Sequence, residues 1–260
     1  MTLLKPLFFF LCLATSIVSA ETLDPVKRGY EIAKESEQRD NGWGNFSANL
    51  IMILKNRQGG KSIRKITSKT MEVPGGGDKS LLIFQTPLDV KNTAFLSHSY
   101  KTKDADQWLY LPALKRVKRI SSSNKGGSFM GSEFSYEDMS SRELEKYSYK
   151  YIRDDTYKGR PVFVVEQTPN DARSLYSKMY VWVDQKEYIP WKFEYFNRRG
   201  KHLKTLIYRK YKKYLKQYWR PDEMYMINLR TKKSTILGWK NYRFRTNISK
   251  RSFNPRSLAK

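Results

Sequence analysis

A chain of 260 residues with 50 Lys and Arg against 25 Asp and Glu carries a formal charge of +25, enough to draw anionic surfaces by several kT. Its one cysteine, Cys12, lies in an N-terminal apolar run. Residues 21–260 are therefore thiol-free, which excludes a disulfide, a cysteine nucleophile and a thiolate metal site, while their length is ample for one β-rich core.

Lys5 followed by the apolar run Leu7 to Val18 and the small residues Val18-Ser19-Ala20 reads as a secretory signal peptide, residues 1–20, cleaved after Ala20. The run is shorter than the ~20 residues that a membrane span needs. Residues 21–260 then form a single exported domain. Export makes nucleic acid an unsuitable target for the positive charge and leaves anionic headgroups or an acidic partner. From Arg198 to Lys260 the only acidic residues are Asp222 and Glu223, against twenty Lys and Arg. Lys212, Lys213 and Lys216 are the candidates for contact with an anionic surface or partner. A solvated face that keeps the protein soluble explains such a charge run equally well.

Asp24-Pro25 predicts the N-cap and first residue of a helix that ends at Asn41-Gly42, with Val26, Tyr30 and Ala33 as its apolar stripe. The hydrophobic period then changes to two. Strands are predicted over 46–55, 62–73, 81–85, 93–100, 108–111 and 114–120. A Ser/Gly-rich tether, 121–128, leads into a segment with large apolar side chains. Ser140-Ser141-Arg142-Glu143 fits a capping box opening a short helix, although Tyr147 to Tyr151 fits a strand equally. Further strands are predicted over 161–167, 180–184, 191–196, 203–214, 223–230 and 234–242. Consecutive hairpins without a βαβ rhythm imply antiparallel pairing. The expected fold is mainly β with a few helices (α+β). It is one curved antiparallel sheet, or an incomplete β-barrel, of about ten or eleven strands closed by two or three short helices.

The chemistry-bearing residues argue against an enzyme. His98 and His202 sit in predicted strands, outside any Ser-His-Asp or metal-ligand spacing. The pairs Asp104/Asp106 and Asp154/Asp155 fall in predicted polar turns, where aspartate is favoured for turn geometry. A hydrolase using Asp154 or Asp155 is the weakest of the readings. Gly75-Gly76-Gly77 lacks the lysine and Ser/Thr of a phosphate loop. No metal and no cofactor is expected.

Aromatic residues make up 14% of the chain and recur at strand spacing: Trp108 with Tyr110, Tyr180 with Trp182, and Trp191 with Phe193 and Tyr195. Each alone suits a core, while the set suits an apolar cavity. Burying an acyl chain is worth about 0.8 kcal/mol per methylene, roughly 10 kcal/mol for a C16 chain. The candidates for cavity or lid are Phe95, Trp108, Tyr110, Phe129, Met130, Phe134, Tyr136, Trp182, Trp191 and Phe193. Gly126-Gly127 and Gly131 give the 129–139 segment the hinge freedom of a lid, or it is a loop pinned to the core by Phe129, Met130 and Phe134.

Several stretches also carry a resemblance. They are Thr86-Pro87-Leu88-Asp89 with the residues through Leu96, Trp108-Leu109-Tyr110-Leu111-Pro112, Arg116 to Ile120, Phe129 to Asp138, Tyr180 to Asp184 and Ile189-Pro190-Trp191-Lys192. Together they resemble the outer-membrane lipoprotein-sorting protein family, the LolA-like periplasmic carriers, in its exporter-associated branch. The resemblance implies an incomplete β-barrel closed by helices, whose hollow holds acyl chains of a lipoprotein or related lipid. It further implies a periplasmic location, transient membrane contact and an RND/MMPL-type exporter as partner. The other reading is a non-carrier accessory subunit that docks an exporter or an anionic membrane through the basic C-terminal region.

Overall fold

The computed structural model describes residues 24–259, so the proposed signal peptide lies outside the described residues. Asp24 caps the helix as its sequence requires, its carboxylate accepting the Val26 N–H at 2.9 Å with Pro25 in the first turn. This helix, α1, spans Pro25–Arg39. Of the expected stripe Ala33 packs on the core, whereas Val26 and Tyr30 are 58% and 45% exposed and Gly29 and Ile32 are buried instead.

Thirteen strands follow: β1 Asn45–Lys55, β2 Lys61–Glu72, β3 Asp78–Thr86, β4 Ala94–His98, β5 Asp106–Leu111, β6 Arg116–Ile120, β7 Tyr147–Tyr157, β8 Arg160–Pro169, β9 Tyr176–Asp184, β10 Pro190–Asn197, β11 His202–Tyr214, β12 Tyr218–Asn228 and β13 Ser234–Phe244. All belong to one antiparallel sheet ordered β6-β5-β4-β3-β2-β1-β13-β12-β11-β10-β9-β8-β7. The expected architecture is present, with more strands and fewer helices. Among the described residues α1 is the only α-helix, and the rest are 3-10 turns. The capping box does not form: the turn Leu144–Lys146 has no side-chain cap.

The topology decides where a hollow can exist. Two meanders, β1–β6 and β7–β13, join through the pairing of β1 with β13. β6 and β7, neighbours in sequence, are therefore the two free edges. Residues 121–146 run from one edge to the other across the opening. A charged network also bridges it: Lys125 contacts Asp104 and Asp171, and Arg173 contacts the same two carboxylates.

Strand alternation splits the apolar residues between two faces. The inner face carries Leu50, Met52, Phe84, Phe95, Met179, Val181, Phe193 and Met226 in one cluster with Ile32 of α1 and with Phe129 and Phe134. On the outer face, Leu81, Ala94 and Leu96 are covered by Phe253 and Leu258 of the C-terminal turns. There His98 Nε2 lies 2.7 Å from the Phe253 carbonyl. A second outer cluster gathers Val162, Val164 and Trp182.

Candidate functional site

The inside of the curved sheet is divided along the strand direction. One end is plugged by the 128–138 segment. Its chain doubles back so that the Phe129 N–H donates to the Phe134 carbonyl at 2.8 Å, with Met130 and Gly131 at φ +49° and +73°. Only Gly131, not Gly126 or Gly127, uses the positive φ that glycine tolerates. Phe129 is fully buried, its ring 4.9 Å from Phe95 and 5.7 Å from Tyr136. Polar contacts fix the plug to five strands. Arg64 donates to the Met130 carbonyl, the Glu133 N–H to Thr235 Oγ1 at 2.9 Å, and Asn228 Nδ2 to the Glu133 carboxylate at 2.7 Å. Lys204 Nζ and the Tyr176 hydroxyl reach Asp138 at 2.6 and 2.8 Å.

The other end is a chamber of about 970 Å³, near the top of the roughly 300–1,000 Å³ range of small-molecule sites. Helix α1 roofs it with Ile32, Ala33 and Ser36, and Val165, Val181, Val183, Phe193, Tyr208 and Met224 supply walls from β8 to β12. Its mouth lies among exposed residues at the end of α1 (Asp40, Gly42), the 74–75 loop and the β11–β12 turn with Lys216 and Gln217. Packing α1 directly on β7 makes this roof possible. A Cβ on Gly29 would lie 2.5 Å from the Tyr151 nitrogen, so only glycine allows so close an approach.

One end of the chamber is acidic. Burial, then the neighbouring Glu143 carboxylate, push Asp78 up to about 7, and burial raises Glu143 as well. The Ser141 hydroxyl donates to Asp78 at 3.2 Å, too little to offset this. A carboxyl whose folded pKa exceeds its unfolded value stabilises the fold fully only below the unfolded pKa, and that stability is lost as pH rises from about 4 to about 7. Asp78→Asn is expected to be more stable than wild type at pH 7 by roughly 1–3 kcal/mol. Melting curves across a pH series should show its slope between pH 4 and 7 flattened; an unchanged slope would assign the titration elsewhere.

Of the side chains that the sequence grouped as one hollow, Phe193 lines the chamber. Phe95, Phe129, Phe134 and Tyr136 pack together at the plugged end with Met130 against them. Trp108, Tyr110, Trp182 and Trp191 belong to the outer-face clusters instead, which corrects the expectation that they line a cavity. Trp108 and Tyr110 pair with Leu96 and Ala94 and share their face, and Trp182 alternates with the chamber residues Val181 and Val183. Trp191 shares sequence parity with Phe193, but the ladder shifts register between Pro190 and Lys192, and its Nε1 donates to Asp184 at 3.0 Å. Lys213 and Lys216 stand at the mouth, while Lys212 pairs with Asp222. Arg142, also a chamber residue, escaped sequence reasoning because it lay inside the supposed capping box.

Each member of the two carboxylate pairs is engaged by a cation. Asp154 and Asp155 lie within β7 rather than in a turn, and adjacent strand residues point to opposite faces. Asp154 faces Arg28 at 3.6 Å and Asp155 accepts from Arg153 at 2.9 Å. Asp106 pairs with Arg119, and Asp104 with Lys125 and Arg173. Among the described residues no cluster of His, Cys, Asp and Glu could hold a metal ion, and no helix is long and apolar enough to cross a membrane.

A family model described as an uncharacterized protein family matches residues 76–260. No curated protein matches the chain. Among solved structures, a chain assigned as an outer membrane lipoprotein-sorting protein domain from Vibrio parahaemolyticus is 51% identical with a TM-score of 0.89, the match covering 90% of this chain and 100% of that one. A DUF1329 family protein from Desulfovibrio piger is 28% identical with a TM-score of 0.86, over 90% and 99% of the two chains. A LolA superfamily protein from Nitrosomonas europaea shares the fold, with a TM-score of 0.69 at 18% identity over 87% and 97%.

Proposed function

The chain belongs to the outer-membrane lipoprotein-sorting protein family, and from that premise we propose that it is a periplasmic carrier whose chamber shields acyl chains of a lipoprotein or related lipid between the envelope membranes. The observation that carries this reading is the 970 Å³ chamber, walled by valine and aromatic side chains and open beside Lys213 and Lys216. Acyl chains enter such a space by the hydrophobic effect alone, so transfer needs neither a cofactor nor catalytic turnover. The lysines at the mouth face the anionic headgroups of a membrane surface while cargo is exchanged, and an inner-membrane RND/MMPL-type exporter is the partner. The plugged end holds the chamber's shape, with Phe129 and Phe134 closing it against water.

Protein purified from its own periplasm is expected to carry lipid in native mass spectra and in solvent extracts. Val183→Trp, which fills the chamber from its wall, should lower the recovered lipid about tenfold by removing buried apolar contact. Repeated preparations free of lipid would remove the carrier reading. The accessory-subunit reading draws on Lys212, Lys213 and Lys216 being exposed. Reversing their charge would then abolish a salt-sensitive attachment and leave chamber occupancy unchanged.

A further inference from the structure

Arg142 presents a charge that the chain itself does not neutralise. Among the described residues no carboxylate lies within ion-pair distance of its guanidinium, whereas the buried Lys204, opposite Tyr195 on the neighbouring strand, has Asp138. Its two polar contacts, to the Tyr195 hydroxyl and Gln167 Oε1, are both 3.4 Å, beyond the roughly 2.7–3.2 Å of a well-formed bond. The Asp138 carboxylate is near enough to act on it electrostatically but is paired with Lys204, and the groups in direct contact are otherwise aromatic or sulfur-bearing. The Phe193 ring lies 4.4 Å and the Tyr147 ring 5.3 Å from the guanidinium carbon, and Nη2 rests on Met179 Sδ. Cation–π contact offsets only part of the loss of water around such a group.

Its position is as informative as its charge. Tyr195 and Met179 are fully buried residues on the plug side of the chamber, close to the strand positions that hold Asp138 through Tyr176 and Lys204. The part of the mouth at Asp40 and Lys216 is at the other end, since Tyr195 pairs with Lys204 and the β11–β12 turn lies at the far end of β11. Arg142 therefore stands deep on the plug side, far along the strands from Lys216. An acyl chain entering tail-first would bring its methyl terminus against this cation, where it gives no counter-charge. An amphiphile entering with an anionic head foremost brings two oxygens to a planar fork of donors, the geometry in which arginine binds carboxylate most strongly.

We infer that the chamber takes a single-chain amphiphile with an anionic head, of which a long-chain fatty acid is the simplest, inserted head-first with its carboxylate on Arg142. The inference rests on the carrier reading and narrows its cargo. It distinguishes a free fatty acid from the tails of a lipoprotein, which are esterified or amidated and carry no charge to Arg142.

The test compares three ligands below their aggregation concentrations, by calorimetric titration of the delipidated protein: palmitate, hexadecanol and a diacylglyceryl lipopeptide. Palmitate is expected to bind wild type at least tenfold more tightly than hexadecanol, the scale of one charge-assisted hydrogen-bond pair. Arg142→Met should erase that preference while hexadecanol affinity stays within about twofold, and Arg142→Lys should keep part of it. A purely structural arginine would not move the ratio between the two ligands. Equal binding of palmitate and hexadecanol by wild type overturns the inference, as does a preference that survives Arg142→Met. Lipopeptide binding without a palmitate preference overturns it and leaves the carrier reading standing. Failure of all three ligands to bind removes both. If Arg142→Met does not fold, the wild-type ratio decides.

Discussion

Asp138→Asn is expected to lose about 3–5 kcal/mol of stability, the usual consequence of breaking a buried ion pair from one side. The side chains of Asp138 and Lys204 are 4% and 3% exposed and 2.6 Å apart, and the same carboxylate accepts the Ser135 N–H at 2.7 Å, the Ser135 hydroxyl at 2.8 Å and the Tyr176 hydroxyl at 2.8 Å. Removing the charge leaves the Lys204 ammonium uncompensated in the core and frees the segment that plugs the sheet. For a domain of this size the melting temperature should fall by roughly 6–20 °C, at about 2–4 °C per kcal/mol. A double-mutant cycle with Lys204→Met isolates the pair, and a coupling below about 0.5 kcal/mol would sink the assignment. The pH dependence has a definite sign. Burial, the largest influence, disfavours the Asp138 carboxylate, but Lys204 and the hydrogen bonds outweigh it and hold the pKa below its ordinary value. The resulting stability is present above the unfolded pKa of about 3.9 and disappears as pH falls through the folded value, so acid unfolding of the Asn variant should lack this contribution.

Gly29→Val should dislodge the roof of the chamber. The nearest atoms to an added Cβ are the Tyr151 nitrogen at 2.5 Å, the Lys150 carbonyl carbon at 2.7 Å and the Lys150 nitrogen at 2.8 Å. These are backbone atoms of β7 and cannot rotate away as a side chain would. Overpacking of this kind typically costs about 1–3 kcal/mol, and here the whole helix must shift. Gly29→Ala separates the causes. Alanine favours an isolated helix by about 1 kcal/mol over glycine, so α1 should stay helical yet part from the sheet. Hydrogen exchange along Tyr147–Tyr157 and proteolysis between residues 25 and 40 measure the separation. Unaltered protection of β7 in both variants would mean that α1 tolerates a wider spacing.

Much of this architecture was legible because alternation and turn chemistry agree along the chain. Each of β1 to β6 and β8 to β13 falls on a predicted run, although β9 and β12 begin well before theirs, at Tyr176 and Tyr218, and Asp24-Pro25 marks the start of α1. The strand β7 was harder to read because Arg153, Asp154 and Asp155 resemble a polar turn. They sit instead on an edge strand, where exposed charges are tolerated and discourage further pairing. The inner plug announced itself through Phe129, Met130 and Phe134 in a Ser/Gly-rich setting. Spacing could say that Trp108 and Tyr110 share a face but not which face. At Trp191 a register shift broke the parity on which the argument depended. The helix contact was misjudged because Gly29 has no side chain to mark it as buried. Arg142 gave no local signal at all, since its environment is assembled from β8, β9 and β10.

The seam between β1 and β13 has a consequence for how the molecule is made. Phe46 partners Phe244 and Lys55 partners Ser234, so the ladder links positions far apart along the polypeptide. Until the last strand has emerged, β1 offers a row of unsatisfied amides with the hydrophobic residues Leu50 and Met52 beside them, a template for pairing with another chain. Contacts so distant along the sequence make acquisition of the native state slow. A nascent copy truncated before residue 234 would therefore expose this edge to pairing with other chains, whereas in the finished molecule β13 covers it.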